Sequence, residues 1–528
     1  MRESVDRVYE RRVAAVINSR EQQLLRGGLR GIERESLRVT GEGRLAQTPH
    51  PRTLGSALTH PHITTDYSEA LLELVTPALP GNGPLMHYLN DLHRFVYAHL
   101  GEEELLWATS MPCDLSGEAE IPIARYGSSH YGRIKSIYRH GLLIRYGGMM
   151  QAISGVHFNY SLPRGFWPMY ADIRRSRDAG QGFASARYFE LLRNYRRHGW
   201  LVSYLFGASP AMCRSFLQGQ PDGQLAARGA DTLVGEHATS LRMSDLGYRN
   251  RSQSAVAVSV NSLEEYLRDL RHAVHTPHPQ YAALGVKVAG EYRQLSGNVL
   301  QIENEYYSYI RPKRTLQPGE RTAHALARGG VEYVEVRALD NSAFDPVGVN
   351  SRKLHFLEAF LQLLLLKDSP PIEPAEEAAI ERNHLRVARR GREPGLQLER
   401  DARSVPLAVW AAELLDGLQA VCEWLDGADA ARPYAGALRD QLAKLQEPDR
   451  TPSARLLAEL EEHDESFAAL ALRVSRRHRE ELAGTPAHDP ALARELAQEA
   501  QDSLRELAML ESRQSSGFDQ YLAAYLHD

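Results

Sequence analysis

Cysteine is nearly absent from this 528-residue chain: Cys113, Cys213 and Cys422 are the whole complement. Three scattered thiols cannot make a disulfide framework, and no paired-ligand spacing marks a zinc site, so a reducing compartment is expected. Lysine is scarce too, standing only at 135, 287, 313, 353, 367 and 444, so nearly all of the basic charge is arginine. With 62 basic against 67 acidic residues and a net charge of −5, nothing advertises a polyanion, and nucleic acid is not an expected partner. Long hydrophobic runs are missing as well. The best, around Phe356 to Leu366, is broken by Glu358 and Gln362 and falls short of the ~20 apolar residues of a membrane span. The N-terminus (MRESVDRVYERR) offers only Val13 to Ile17 as an apolar stretch, too short for a signal peptide. The expectation is a cytoplasmic protein with no membrane partner. Also lacking are a Walker loop, a Gly-rich kinase loop, even a Gly-Lys dipeptide, and any HExxH. The common nucleotide folds and one large class of zinc hydrolase are thereby set aside.

What is present is a globular composition, 43% hydrophobic and 24% charged. Residues from about Leu25 to about Leu366 mix strand-like alternation with helical patterns, and every motif of chemical interest lies there. From about Glu373 the sequence turns to Ala, Leu, Glu and Arg. Leu407, Trp410, Leu414, Leu418, Val421 and Leu425 recur at helical steps, and similar patterns cover about Ser453–Leu472 and Asp489–Leu510. The expected organisation is a catalytic region, 1–372, with a helical region, 373–528, packed on it.

Four short segments carry the chemistry, three with acids and one with a histidine. In GIERESLR, Glu33 and Glu35 are two apart, a spacing that on a strand aims both at one face. An exposed acid-base alternation on an edge strand would look the same. In TTDYSEALLELVTP, Glu73 stands between Leu72 and Leu74, and strand or helix can each bring it near Asp66, which also suits a turn or an N-cap. GVHFNYSL alternates most cleanly, with His157, Asn159 and Ser161 on one face and Val156, Phe158 and Tyr160 on the other. GGVEYVEVR puts Glu335 and Arg337 on one face, either a functional pair or a solvated neutralising one. A related pattern runs through Gln301, Glu303 and Glu305 toward Tyr306, Tyr307 and the basic run Arg311-Pro312-Lys313-Arg314, which suits phosphate or an ordinary loop. Carboxylates pooled on one sheet face require cations. Oxygen-rich ligands with a single His favour Mg²⁺ over Zn²⁺, which would recruit more His or Cys. A polyacidic Mg²⁺ site for nucleotide phosphates follows, with Arg337 neutralising the transferred phosphoryl group.

The blocks GIERESLRV, LGSALTHPHITTDYSEALLELVTP, SMPC, YGRIKSIYRHGL, QAISGVHFNYSLP, YLFGASPA, ATSLRMSDLGY, NVLQIENEYY and GGVEYVEVR occur in this order through most of residues 25–340. Together they resemble the glutamate–cysteine ligases of the proteobacterial type. The resemblance implies an α+β, glutamine-synthetase-like fold with a curved antiparallel sheet around the substrates. It implies ATP as co-substrate and three Mg²⁺ ions, with Mn²⁺ able to substitute, held by Glu33, Glu35, Asp66, Glu73, His157 and Glu335. Arg337 and Glu335 would serve catalysis, and Tyr138, Arg139, Leu142, Arg242, Tyr248 and Tyr307 would bind the amino acids. The implied reaction joins the γ-carboxylate of L-glutamate to the amine of L-cysteine through γ-glutamyl phosphate, in a monomer under feedback by glutathione. A related glutamate–amine ligase and a non-catalytic nucleotide- or metal-binding homologue are the alternatives.

Overall fold

The computed structural model of the protein describes residues 2–19, 21–247, 257–317, 319–514 and 516–527. Its central element is a seven-stranded sheet built from β1 (Leu29–Val39), β2 (Ile63–Thr65), β3 (Leu71–Val75), β4 (Leu105–Leu106), β5 (Val156–Ser161), β6 (Ile310–Lys313) and β7 (Tyr333–Leu339). The order is β6-β7-β5-β1-β3-β2, with β4 also on β1, and every pairing is antiparallel. The class is α+β, as expected. Between Thr64 and Pro77 the chain forms two paired strands and no helix, and Asp66 sits in the turn between β2 and β3, its N–H bonded to the Leu71 carbonyl at 3.1 Å.

Alternation decides which face is core. Ile32, Val156, Phe158, Tyr160, Ile310, Val334 and Val336 point into one hydrophobic cluster with the helices Gln181–His198, Trp200–Phe206 and Ser351–Leu366. That cluster runs from Tyr9 to Leu438 and Leu482, so residues on both sides of 372 share it. From Phe356 to Leu366 the helix Ser351–Leu366 is buried on all sides and apolar but for Glu358 and Gln362, and Asn350 caps it by accepting from the Lys353 N–H at 3.0 Å.

Two details of the C-terminal region differ from expectation. Gln397–Arg400 and Arg403–Pro406 form a hairpin amid the helices. Its two-residue turn places Asp401 and Ala402 at φ 51° and 57°, the conformation usually signalled by Asn-Gly or Asp-Gly; without the glycine the signal is lost. The periodic run from Leu407 is two helices, Leu407–Gly417 and Gln419–Asp426, and at the break the Tyr9 hydroxyl donates to the Gly417 carbonyl at 2.5 Å. The pattern at Ser453–Leu472 likewise spans two helices, Pro452–Glu462 and Phe467–Gly484, while that at Asp489–Leu510 is one, Leu492–Ser512.

Glu358, the acid that interrupts the apolar run, is fully buried and pairs with Arg30 on β1, whose Nε lies 3.1 Å from Oε2. The Tyr434 hydroxyl donates to the same oxygen at 2.8 Å, so one carboxylate ties the sheet, the helix Ser351–Leu366 and the helix Pro433–Gln446 together. Removing it leaves the Arg30 charge buried without its partner. Glu358→Ala is therefore expected to cost about 3–5 kcal/mol of stability, read as a lower urea midpoint.

Candidate active site

The opposite face of the sheet collects the acids. Register places Glu33 across from His157, Glu35 across from Glu73, and Glu335 across from Asn159. His157 lies between two groups. Its Nδ1 is 3.0 Å from Glu33 Oε2 and 3.7 Å from Glu335 Oε1, and its Nε2 is 3.7 Å from Glu35 Oε1. Ligand atoms of Glu33, His157 and Glu335 all lie within 4.8 Å of one another, as do those of Glu35, Glu73 and His157. The geometric demand of the alternation is thus met: Glu33, Glu35, Glu73, His157, Glu335 and Arg337 face one surface.

Neighbours hold these groups in place. Asn159 Nδ2 donates to Glu33 Oε1 at 2.8 Å, and the Gly155 N–H donates to Glu35 Oε2 at 2.8 Å. A Cβ on Gly155 would lie 2.1 Å from Arg242 Nη2, so any side chain there would have to displace the buried Arg242 guanidinium. Glu335 Oε1 receives Arg337 Nη1 at 3.3 Å and Lys313 Nζ at 3.4 Å, while its Oε2 is buried with no hydrogen-bond partner.

Electrostatics divides the four glutamates. Burial, then the charges of Glu33, Asp66 and Glu35, push Glu73 well above the ordinary carboxylate range. Glu35 is raised too, its burial outweighing the attraction of His157. Burial opposes the charge on Glu33 and Glu335 as well, yet both lie below that range. Against burial and the repulsion of Glu335, Glu33 is brought down by the His157 hydrogen bond and Lys313; Lys313, Arg337 and His157 do the same for Glu335. Lys135 is brought down to about 8 by burial and by Arg139, against the pull of Glu73 and Asp66.

Beside the acids opens a cavity of about 110 Å³. Glu35, Asp66 and Arg337 form its border with the acidic surface, and Tyr138, Arg139, Leu142 and Tyr307 line it. The first three of these come from the helix His130–Tyr146, which Ser129 caps by accepting from the Gly132 N–H. Arg139 Nε donates to the Asp66 carbonyl and its guanidinium stacks 4.5 Å from the Tyr126 ring. Arg242 stands apart from the lining: it is fully buried, donates through Nη2 to the Arg337 carbonyl at 2.9 Å, and lies 3.6 Å from Asp340. Tyr248 lies outside the described residues.

The Gln301–Glu305 pattern is not a strand of the sheet. Glu303–Glu305 is a single 3-10 turn, and its acids are neutralised by arginines: Glu303 by Arg321 at 2.7 Å and Glu305 by Arg145 at 3.0 Å. Two-residue spacing fits a strand and a short turn alike, which is why the sequence misled here. Glu305 and Asn304 nevertheless reach the cavity wall, as do Tyr146, Met150, Gln151 and Arg311. Of these, Glu305 and Arg311 stand in the acidic pattern and the basic run already singled out, and Arg311 lies with Lys313 on β6 beside Glu335; Asn304, Tyr146, Met150 and Gln151 carry no sequence signal.

The family model for glutamate-cysteine ligase matches residues 13–387. A protein named glutamate–cysteine ligase from Alcanivorax borkumensis is 47% identical over 524 residues, 98% of this chain and 99% of its own. One of the same name from Azotobacter vinelandii is 50% identical over 522 residues, 98% of each chain. Among solved structures, a glutamate–cysteine ligase from Francisella tularensis in complex with AMP has a TM-score of 0.89 at 36% identity, covering 95% of this chain and 98% of that one. A bifunctional glutathione synthetase from Pasteurella multocida has a TM-score of 0.68 at 25% identity, covering 88% of this chain and 54% of its own.

Proposed function

The chain belongs to the glutamate–cysteine ligase family, and from that membership together with the geometry we propose how it performs ATP-dependent ligation of L-glutamate to L-cysteine, the first step of glutathione synthesis. The observation that carries the proposal is His157 shared between two carboxylate groups, one of which reaches the border of an arginine-lined cavity through Glu35.

Divalent cations suit the acidic surface. Four buried or half-buried glutamates and one His offer oxygen-rich coordination, and the buried, unpartnered Glu335 Oε2 is an acceptor left for a cation. Glu33, Glu35, Glu73, His157 and Glu335 would hold Mg²⁺, with Asp66 reaching the same site from the cavity border. Bound there, Mg²⁺ supplies neutralisation of the nucleotide phosphates and Lewis-acid polarisation of the transferred group.

The protein's own groups divide the remaining work. Arg337, between the acids and the cavity, holds positive charge where the γ-phosphoryl passes to the glutamate γ-carboxylate. ADP leaves, and the cysteine amine then attacks the acyl carbon of γ-glutamyl phosphate, losing a proton as phosphate departs. Arg139 and Arg311 offer guanidinium groups to substrate carboxylates, and Tyr138, Leu142 and Tyr307 give the thiol side chain an aromatic and apolar wall. Cys113 and Cys213 are buried, with burial raising both thiols, and no nucleophilic side chain is needed. Among the described residues no helix is long and apolar enough to cross a membrane; we expect a cytoplasmic monomer subject to glutathione feedback.

The test is phosphate release with glutamate, MgATP and a panel of amines. Cysteine is expected to exceed glycine in kcat/KM by at least about tenfold, since a filled side-chain pocket is worth 1–3 kcal/mol. Equal rates with glycine would remove the substrate assignment; phosphate release without glutamate would remove the reaction.

A further inference from the structure

The helix Phe518–His527 contributes nothing to the cavity lining, yet its contacts go to both walls. One wall is the helix His130–Tyr146. Phe518 and Leu522 are buried beside Ile134, Leu295 and Ile302, and Tyr138 packs against the same cluster. The Arg133 guanidinium covers the Phe518 ring at 3.8 Å, and His130 Nε2 lies 2.7 Å from the Ser516 carbonyl oxygen. The other wall is the turn beginning at Glu303, which carries Asn304, Glu305 and Tyr307 to the cavity. Arg321 donates to the Leu526 carbonyl at 3.2 Å while holding Glu303 at 2.7 Å. Asp519 accepts from Lys287 Nζ and from the Tyr292 hydroxyl, each at 2.8 Å.

A helix that borders an open cavity has no packing on that side, so its position must be fixed from the opposite one. A ten-residue helix is too short to persist alone in water, so its order is bound to these contacts. We propose that the C-terminal helix is a positioning element for the amine-substrate end of the site, setting the spacing between the Tyr138–Leu142 wall and the Glu303 turn, with Phe518 acting through Tyr138 and Arg321 through Glu303. This rests on the reading of the cavity as the place where the amine substrate binds. It assigns Phe518, Asp519 and Arg321 to positioning and not to chemistry.

The experiment deletes residues 518–528 from the 528-residue chain and measures KM separately for cysteine, glutamate and ATP. A wall displaced by an ångström can cost up to 100-fold, so KM for cysteine is expected to rise about tenfold or more, with KM for ATP and kcat each within about threefold. Adding a synthetic peptide of residues 516–528 is expected to lower the cysteine KM again. Because deletion bares Ile134, Leu295 and Ile302, Phe518→Ala and Asp519→Asn are measured alongside; each is expected to raise the same KM about two- to fivefold with an unchanged far-UV CD spectrum. Arg139→Met keeps the two readings apart. If it leaves both amino-acid KM values unchanged, the cavity assignment fails; if it raises them while the folded deletion and both point variants leave every KM unchanged, the positioning role is overturned. A fall in kcat at constant KM overturns it as well.

Discussion

Arg337→Met is expected to lower kcat by about 1,000-fold or more while leaving the protein folded, because it removes the charge that meets the transferring phosphoryl group. The guanidinium is half-buried, held 3.3 Å from Glu335 Oε1, and its Nε is buried without a hydrogen-bond partner. Burial opposes its charge, but the carboxylates of Glu335 and Glu35 hold it firmly protonated. Its charge is therefore in place before substrate arrives, as electrostatic stabilisation of the transferring group requires. Folding should survive because Glu335 keeps Lys313 at 3.4 Å and His157 at 3.7 Å. Arg337→Lys separates charge from geometry: it restores the charge without the planar fork and is expected to recover only part of the loss. Steady-state ADP release and the KM for ATP are the measurements. A kcat for Arg337→Met within tenfold of the parent would remove Arg337 from the phosphoryl-transfer step.

The acidic surface was legible because strand alternation has a period of two: once GIERESLR and GVHFNYSL are read as strands, Glu33, Glu35 and His157 must share a face. Hydrophobic partners at 32, 156, 158, 334 and 336 then fix which face is core. The rest had no such rule. Gln151, Asn304 and Arg311 reach the cavity from separate elements whose meeting depends on long-range packing. The Gln301–Glu305 spacing matched a strand, and only the arginines at 145 and 321, 160 and 18 residues away from their partners, reveal it as a neutralised turn. Resemblance supplied the reaction; alternation supplied the geometry.

Glu73 and Glu335 allow a test in which activity and stability move in different combinations. Both Glu73→Gln and Glu335→Gln are expected to reduce activity at least about 100-fold, since each removes a charged oxygen from the proposed ligand set. In chelator, however, their melting temperatures should shift in opposite directions. The Glu73 carboxylate is raised above its unfolded value, so its ionisation destabilises the folded chain: the penalty is absent below the unfolded value and grows as pH rises toward the folded one. Glutamine removes that penalty, and Glu73→Gln should melt above the parent at pH 7, the gap closing as the pH is lowered toward the ordinary carboxylate range. Glu335 is depressed, held by Lys313, Arg337 and His157, so its charge contributes stability at pH 7 that is lost on acidification, and Glu335→Gln should melt below the parent. Adding Mg²⁺ should then raise the parent's melting temperature with concentration and leave both variants nearly unmoved, because only a ligand that binds the folded state stabilises it. Variants that gain from Mg²⁺ as much as the parent does would show that these two carboxylates do not hold the ion. A stabilised but inactive Glu73→Gln would show that this glutamate is kept for its function at a cost to the fold.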